Sequence, residues 1–241
     1  MDENRIRVQG VFDAAERLAG IDGFVMIGGY AVSARARPRF SHDLDIVVSV
    51  PALFKVHDAL RACKFEPKKR FANPDKEEEG YGGEMVRWSR DDTRSTMDIM
   101  AGGLRDPKVK VWIPYEKIAR GKSMEKVPNV LGIPGAPLIP TAATEVLIAL
   151  KLQPGRPQDN SDLVSMAQAA DAAKTVEALL DMFGRPLALR LVRRMVDDIR
   201  PGEDLWSHGV RYQMPKAAVE KAMEKAGGFF EGVAAVLERA K

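Results

Sequence analysis

The stretch from Phe24 to Val50 constrains the fold more than any other part of the chain. Phe24-Val25-Met26-Ile27 is a short apolar run that ends in Gly28-Gly29, the pattern of a buried strand entering a tight turn. Tyr30 to Ala36 reads as a short helix closed by Pro38, and a second strand follows from Leu44 to Val50. Asp43 and Asp45 stand at the entrance of that strand. Side chains in a strand alternate faces, so the two carboxylates point one way while Leu44 and Ile46 point into the core. Two carboxylates side by side repel and need a counter-charge. A divalent cation that favours oxygen ligands, Mg²⁺ above all with Mn²⁺ as the alternative, is the natural one.

A third carboxylate lies in Ser95-Thr96-Met97-Asp98-Ile99-Met100, again an alternating segment with Met97 and Ile99 facing inward. If this strand pairs beside that of Asp43 and Asp45, three carboxylates converge on one face. Such a set can hold metal ions and leave Asp98 to take a proton from an attacking hydroxyl. Gly28-Gly29 would let the backbone approach a triphosphate and offer its N–H groups to it. Taken singly, these features say little. Asp-x-Asp is common on surface strands, and Gly-Gly after a strand is more often a plain turn; the conjunction with a basic residue and a later strand Asp is what points to a site.

These residues resemble the DNA polymerase β-like nucleotidyltransferase superfamily, whose signature is Gly-Gly or Gly-Ser, then Asp-x-Asp, then a third Asp on a nearby strand. Gly28-Gly29-Tyr30-Ala31-Val32 with Arg39-Phe40-Ser41-His42-Asp43-Leu44-Asp45 is similar, more narrowly, to small prokaryotic nucleotidyltransferases related to the AbiEii-type toxins. The resemblance implies catalytic and metal-binding roles for Asp43, Asp45 and Asp98, and nucleotide contacts from Gly28, Gly29, Arg39, Ser41 and Lys151. Lys151, followed by Gly155-Arg156-Pro157 and Asp159-Asn160-Ser161-Asp162-Leu163, matches a second stretch common in that family. There Lys151 would reach the triphosphate, and Asp159 and Asp162 would hold a helical domain against the catalytic one. Asp159 and Asp162 read equally well as a capped polar turn between helices.

At 241 residues the chain is long enough for one large or two small domains. Its 45% hydrophobic and 29% charged content is that of a soluble globular protein. Cys63 is the single cysteine, which excludes an internal disulfide framework and fits a reducing cytosol. No run approaches transmembrane length, so a cytoplasmic protein without a membrane partner is expected. A net charge of +3 is compatible with a polyanionic partner without demanding one.

In chain order, Ile6 to Leu18 has apolar residues at helical spacing, and Pro51 opens a helix that runs through Ala62. Lys64 to Tyr81 is charged and turn-rich, read as a solvated loop or hairpin, with a flap over the nucleotide as the functional alternative. Glu84 to Arg90 reads as a strand that turns at Asp91-Asp92 into the Asp98 strand. Ala101 to Pro107 reads as a loop, Val109 to Ile113 as a short strand, and the Pro/Gly-rich segment from Asn129 to Pro140 as a junction. Beyond it the chain reads as helical: to Leu152, then to Asp171, then Thr175 to Phe183, Pro186 to Ile199 and an outer, solvated helix from Pro215 to Ala240. Arg190, Arg193, Arg194 and Arg200 form a basic run, either a solvated face or a phosphate-binding stripe, and Trp206 and His208 fall in the loop after it.

The fold class expected is α/β (α+β): a small mixed sheet flanked by helices over residues 1–135, followed by a helical domain over 136–241. The expected reaction is metal-dependent transfer of a nucleoside monophosphate from an NTP to an acceptor, which could be RNA (tRNA among them), protein or a small molecule. Two other roles stay open. One is a component of a toxin–antitoxin pair, toxin or non-catalytic antitoxin, with a cognate partner. The other is a nucleic-acid-binding module that uses the arginine helix.

Overall fold

A computed structural model describes residues 2–71, 84–105, 109–199 and 205–240. The chain divides into two compact units. One comprises Met1–Ala34, Phe40–Arg105 and Trp112–Ala143; the other comprises Arg35–Arg39, Asp106–Val111 and Thr144–Lys241.

The first unit is built on a seven-stranded mixed sheet. Its strands are β1 (Phe24–Ile27), β2 (Asp43–Val48), β3 (Glu66–Phe71), β4 (Met85–Arg90), β5 (Ser95–Ala101), β8 (Ser123–Lys126) and β9 (Leu138–Thr141), in the order β3-β4-β5-β2-β1-β9-β8. A separate ribbon pairs β6 (Gly103–Arg105) with β7 (Trp112–Pro114). β1 lies between β2 and β9 and is buried along its whole length, as expected of an all-apolar run in mid-sheet. β2 instead starts with alternating half-buried and buried residues, and its half-buried positions are Asp43 and Asp45.

α1 (Glu3–Leu18) is capped by Asp2, whose carboxylate accepts from the Asn4 N–H. It buries Val8, Val11, Phe12, Ala15 and Leu18, the stripe its spacing predicts. It lies against β5 and β9 and packs with α3 (Leu53–Ala62). α2 (Gly28–Arg35) follows β1 without a linker, and α4 (Tyr115–Ile118) follows β7.

Three segments depart from the sequence expectation. Glu66–Phe71, read as part of a charged loop, is the edge strand β3. An edge strand is guarded by charge and proline against pairing with other chains, and Glu-Pro-Lys-Lys-Arg-Phe carries both, with a register shift between Pro67 and Lys69. Gly103–Arg105, read as loop, is half of the small ribbon. Leu138–Thr141, read as junction, is a sheet strand that meets β1 at one register pair, Met26 with Thr141, so Pro140 interrupts little pairing. The charged cluster from Asn73 to Gly80, and Asp106-Pro107, lie outside the described residues.

The described part of the second unit is helical: α5 (Thr144–Leu152), α6 (Pro157–Met166), α7 (Ala172–Asp198), α8 (Leu205–Tyr212) and α9 (Lys216–Arg239). α7 is broken at Gly184, whose φ of 66° and ψ of 163° are not helical, which accounts for the two helices read on either side of it. α9 is not simply an outer helix. It buries Val219, Ala222, Met223, Ala226, Phe230, Val233, Ala234 and Leu237, a stripe at helical spacing, and packs on α7; its Lys/Glu pairs occupy the other face. Trp206 and His208 belong to helix α8 rather than a loop, and their side chains, like Arg200, lie outside the described residues. Of the basic run, Arg193 pairs with Glu238 of α9, and Arg194 donates to the Leu152 carbonyl. No helix among the described residues is long and apolar enough to cross a membrane.

Candidate active site

The strand pairing that would gather the carboxylates is present. β2 and β5 run parallel in register, with Asp43 opposite Thr96 and Asp45 opposite Asp98. Paired residues share a face, so all three carboxylates lie on one side of the sheet, with Asp45 and Asp98 about 4.8 Å apart at the backbone. The inward residues between them, Leu44, Ile46, Met97 and Ile99, are buried and fix that register, because a one-residue slip would turn every carboxylate into the core.

The row continues outward. In the β4–β5 hairpin Arg87 stands opposite Asp98, and Lys69 of β3 stands opposite Arg87. Lys69, Arg87, Asp98 and Asp45 therefore cross four strands as two cations followed by two anions. The Arg87 guanidinium grips Asp98 as a fork, Nε to Oδ1 at 2.8 Å and Nη2 to Oδ2 at 2.6 Å, and Nη2 stands 3.7 Å from Asp43 Oδ2. The Thr96 hydroxyl donates to the other oxygen of Asp43. Asp98 is buried while 40% of the Arg87 side chain is exposed. The Asp98 fork, then the charges of Asp43 and Asp45, hold the guanidinium ionisation above its ordinary value.

Gly28, at the β1–α2 corner, has φ of +68°. A Cβ there would drive into the Asp45 carboxylate, with Asp45 Cγ at 2.7 Å and Cβ at 2.9 Å. Glycine thus serves two ends at once: it allows the left-handed corner, and it lets Asp45 lie flat against the start of α2. Gly28→Ala is expected to lose about 1–2 kcal/mol from backbone strain alone and to push Asp45 off the row. Thermal unfolding together with nucleotide binding checks this, and an unchanged binding constant would contradict it.

Around the corner, Tyr30 of α2 is buried, and its hydroxyl has no hydrogen-bond partner among the described residues. Burial, then the charge of Asp43, holds its ionisation well above the usual tyrosine range. His42 meets Arg7 of α1 through Nδ1 and Phe40 edge to face, ring centroids 4.9 Å apart. Ser41 is half-buried in the loop that leads into β2.

The remaining expected nucleotide contacts belong to the second unit. Arg39 forks onto Asp162 at 2.6 and 2.7 Å, and Tyr212 Oη donates to the same carboxylate at 2.8 Å. Lys151 Nζ lies 2.8 Å from Asp159 and 2.9 Å from Asp162. Asp159 caps α6 from its first turn, taking the Arg156 N–H at 3.3 Å and the Arg156 Nε at 2.6 Å. Burial pushes both carboxyls up, but the hydrogen bonds and charges of Arg39, Arg156 and Lys151 outweigh it and leave both below the ordinary carboxylate range.

Arg87 is a site residue that a turn at Asp91-Asp92 would have set against Thr96 rather than Asp98. Residues opposite each other in a hairpin have numbers of constant sum, so a turn centred on Asp92-Thr93 must set Arg87 against Asp98.

The donor set fits a hard divalent cation such as Mg²⁺: three carboxylates on one face, at neighbouring register positions, with a bound cationic group already answering their charge. As the side chains stand, no three His, Cys, Asp or Glu among the described residues are gathered to hold a metal, and Arg87 carries the counter-charge.

In fold the chain is similar to JHP933 from Helicobacter pylori, 17% identical over 99% of this chain and 95% of that one, with a TM-score of 0.45. It is also similar to the antibiotic-resistance factor ANT(2'')-Ia, 14% identical over 99% and 97%, with a TM-score of 0.38. No curated protein matches it. Residues 12–224 match the family model described as nucleotidyl transferase AbiEii toxin, type IV TA system. With most of its length inside that model, the chain belongs to the AbiEii nucleotidyltransferase toxin family.

Proposed function

We propose that the protein transfers a nucleoside monophosphate from an NTP to an acceptor hydroxyl, with Mg²⁺ or Mn²⁺ bound by Asp43, Asp45 and Asp98. The observation that carries this reading is the in-register pairing of Asp45 with Asp98, with Asp43 on the same face and Gly28 pressed against Asp45. Family membership supports the transferase class.

In the proposed reaction the acceptor oxygen attacks the α-phosphorus, a new P–O bond forms, the bond to the β-phosphate breaks, and pyrophosphate leaves. Asp98 receives the acceptor's proton. Gly28 and Gly29 present backbone N–H groups to the phosphates from the first turn of α2. Ser41 is proposed to contact the phosphates, and Arg39 and Lys151 stand as proposed contacts on the family resemblance alone, since in the structure Asp162 takes the Arg39 fork and lies 2.9 Å from Lys151 Nζ. When bound, the cation would neutralise the triphosphate and make the acceptor hydroxyl easier to ionise. Catalysis is then mainly positioning and electrostatics, as in phosphoryl transfer generally.

The acceptor proposed is RNA, protein or a small molecule that offers a hydroxyl. An α-labelled NTP incubated with the full chain, Mg²⁺ and fractionated cell extract identifies it. Label on one fraction with wild type but not with Asp43→Ala/Asp45→Ala supports the reading, and no label with any NTP while the chain stays folded contradicts it.

The family description adds a setting, a toxin whose action a cognate antitoxin relieves. Expression of the wild-type chain alone is then expected to arrest growth, and Asp45→Asn to leave growth unaffected. Equal arrest by both would separate toxicity from transfer.

A further inference from the structure

We propose that Arg87 is an exchangeable internal counter-ion of the acidic row: it neutralises Asp98 in the metal-free protein and must leave that carboxylate when a divalent cation binds. This inference rests on the proposed metal dependence.

Asp43, Asp45 and Asp98 face one way from two adjacent strands, and three close carboxylates are not held together without a cation. The Arg87 fork uses both oxygens of Asp98, at 2.8 and 2.6 Å, and leans toward Asp43 at 3.7 Å. A cation bound by Asp98 needs one or both of those oxygens, and its charge would repel the guanidinium from the same place. A cation that takes the lone pairs the fork now uses competes with the guanidinium for Asp98. Lys69, opposite Arg87 on β3, adds positive charge behind the guanidinium and none that would hold it in place.

Geometry also gives Arg87 somewhere to go. Asp98 is buried in the middle of the sheet, whereas the Arg87 side chain is well exposed and comes from the second strand in from the edge. A rotamer change carries the guanidinium into solvent without disturbing the β4–β5 ladder. Arg87 is thus a positioning residue. It keeps the carboxylates gathered, and it makes metal binding an exchange rather than a simple addition.

Mn²⁺ binding to the full chain without nucleotide, measured by electron paramagnetic resonance of the free ion, tests this in wild type, Arg87→Gln, Arg87→Lys and Asp98→Asn. Arg87→Gln is expected to bind Mn²⁺ roughly tenfold tighter than wild type, since it no longer loses charge-assisted hydrogen bonds on binding. Arg87→Lys, which keeps the charge but not the fork, should fall between, and Asp98→Asn should bind weakly. Equal or weaker binding by Arg87→Gln, with Asp98→Asn still defective, overturns the proposal and leaves the metal site standing. No saturable binding by wild type or by Arg87→Gln removes the metal reading and the proposal with it. A second measurement needs no variant. The Arg87 Nε–H resonance should be protected from exchange in the metal-free protein and lose that protection as Mg²⁺ saturates, and a resonance unmoved at saturation overturns the proposal even if Arg87→Gln fails to fold.

Discussion

Asp45→Asn is expected to lower nucleotidyl transfer by roughly a thousandfold or more, in line with removing one electrostatic anchor of a phosphoryl-transfer site, while leaving the fold intact. Asparagine matches aspartate in shape, so it still lies against Gly28 and opposite Asp98 while the charge is lost. Thermal stability separates the two roles a carboxylate can play. A structural carboxylate loses stability when neutralised. A functional one crowded by Asp43 and Asp98 relaxes repulsion, so the Asp45→Asn midpoint should be unchanged or higher. Asp92→Asn is the matched control. Asp92 is an exposed turn carboxylate paired with Arg90, and its neutralisation should leave transfer unchanged. A joint loss of activity and stability in Asp45→Asn would make Asp45 a fold residue.

Asp162→Asn is expected to destabilise the second unit by about 3–5 kcal/mol, the penalty of removing one partner of a buried ion pair. Asp162 is fully buried and accepts from Arg39, Lys151 and Tyr212, so its neutralisation removes the carboxylate that the Arg39 fork grips and leaves Lys151 with Asp159 alone. The neighbouring Arg156 pair with Asp159 should matter much less, since 63% of the Arg156 side chain is exposed and water screens it. The same network sets an acid dependence. Asp159 and Asp162 have carboxyls held below their ordinary value, so the stability they contribute is present above the unfolded value near 4 and is lost as pH falls through the lower native values. Thermal midpoints measured from pH 7 down to pH 3 should fall steeply for wild type and less steeply for Asp162→Asn. Parallel curves would show that this network does not set the acid limit.

What was legible in the sequence is what local chemistry dictates. The apolar run Phe24–Ile27 before Gly28-Gly29 read as a buried strand entering a turn, and the alternation around Asp43, Asp45 and Asp98 read which way each carboxylate points. That β2 and β5 are neighbours was a condition in the sequence, and the parallel register supplies it. Edge strands were harder to see, because Glu66–Phe71 carries the charge and proline that protect an edge and that also mark a loop. Leu138–Thr141 was hidden by Pro140, tolerated because so little of β9 pairs with β1. Along α9 the Lys/Glu pairs drew attention from the apolar stripe beside them, whose partner is α7, a helix specified elsewhere in the chain. The Asp162 network was illegible for a similar reason: Arg39 and Asp162 are 123 residues apart, and no local pattern joins them. Arg87 was missed because a turn read at Asp91-Asp92 sets it against Thr96, and the turn centred one residue later sets it against Asp98.

The acidic row is proposed to transfer a nucleotide, not a terminal phosphate. Parallel reactions with NTP labelled at the α- or the γ-phosphate, the full chain, Mg²⁺ and the acceptor fraction test it most directly. α-Label is expected on the acceptor and γ-label in released pyrophosphate, both lost in Asp45→Asn. γ-Label on the acceptor, or no transfer of either label by folded wild-type protein, would contradict it.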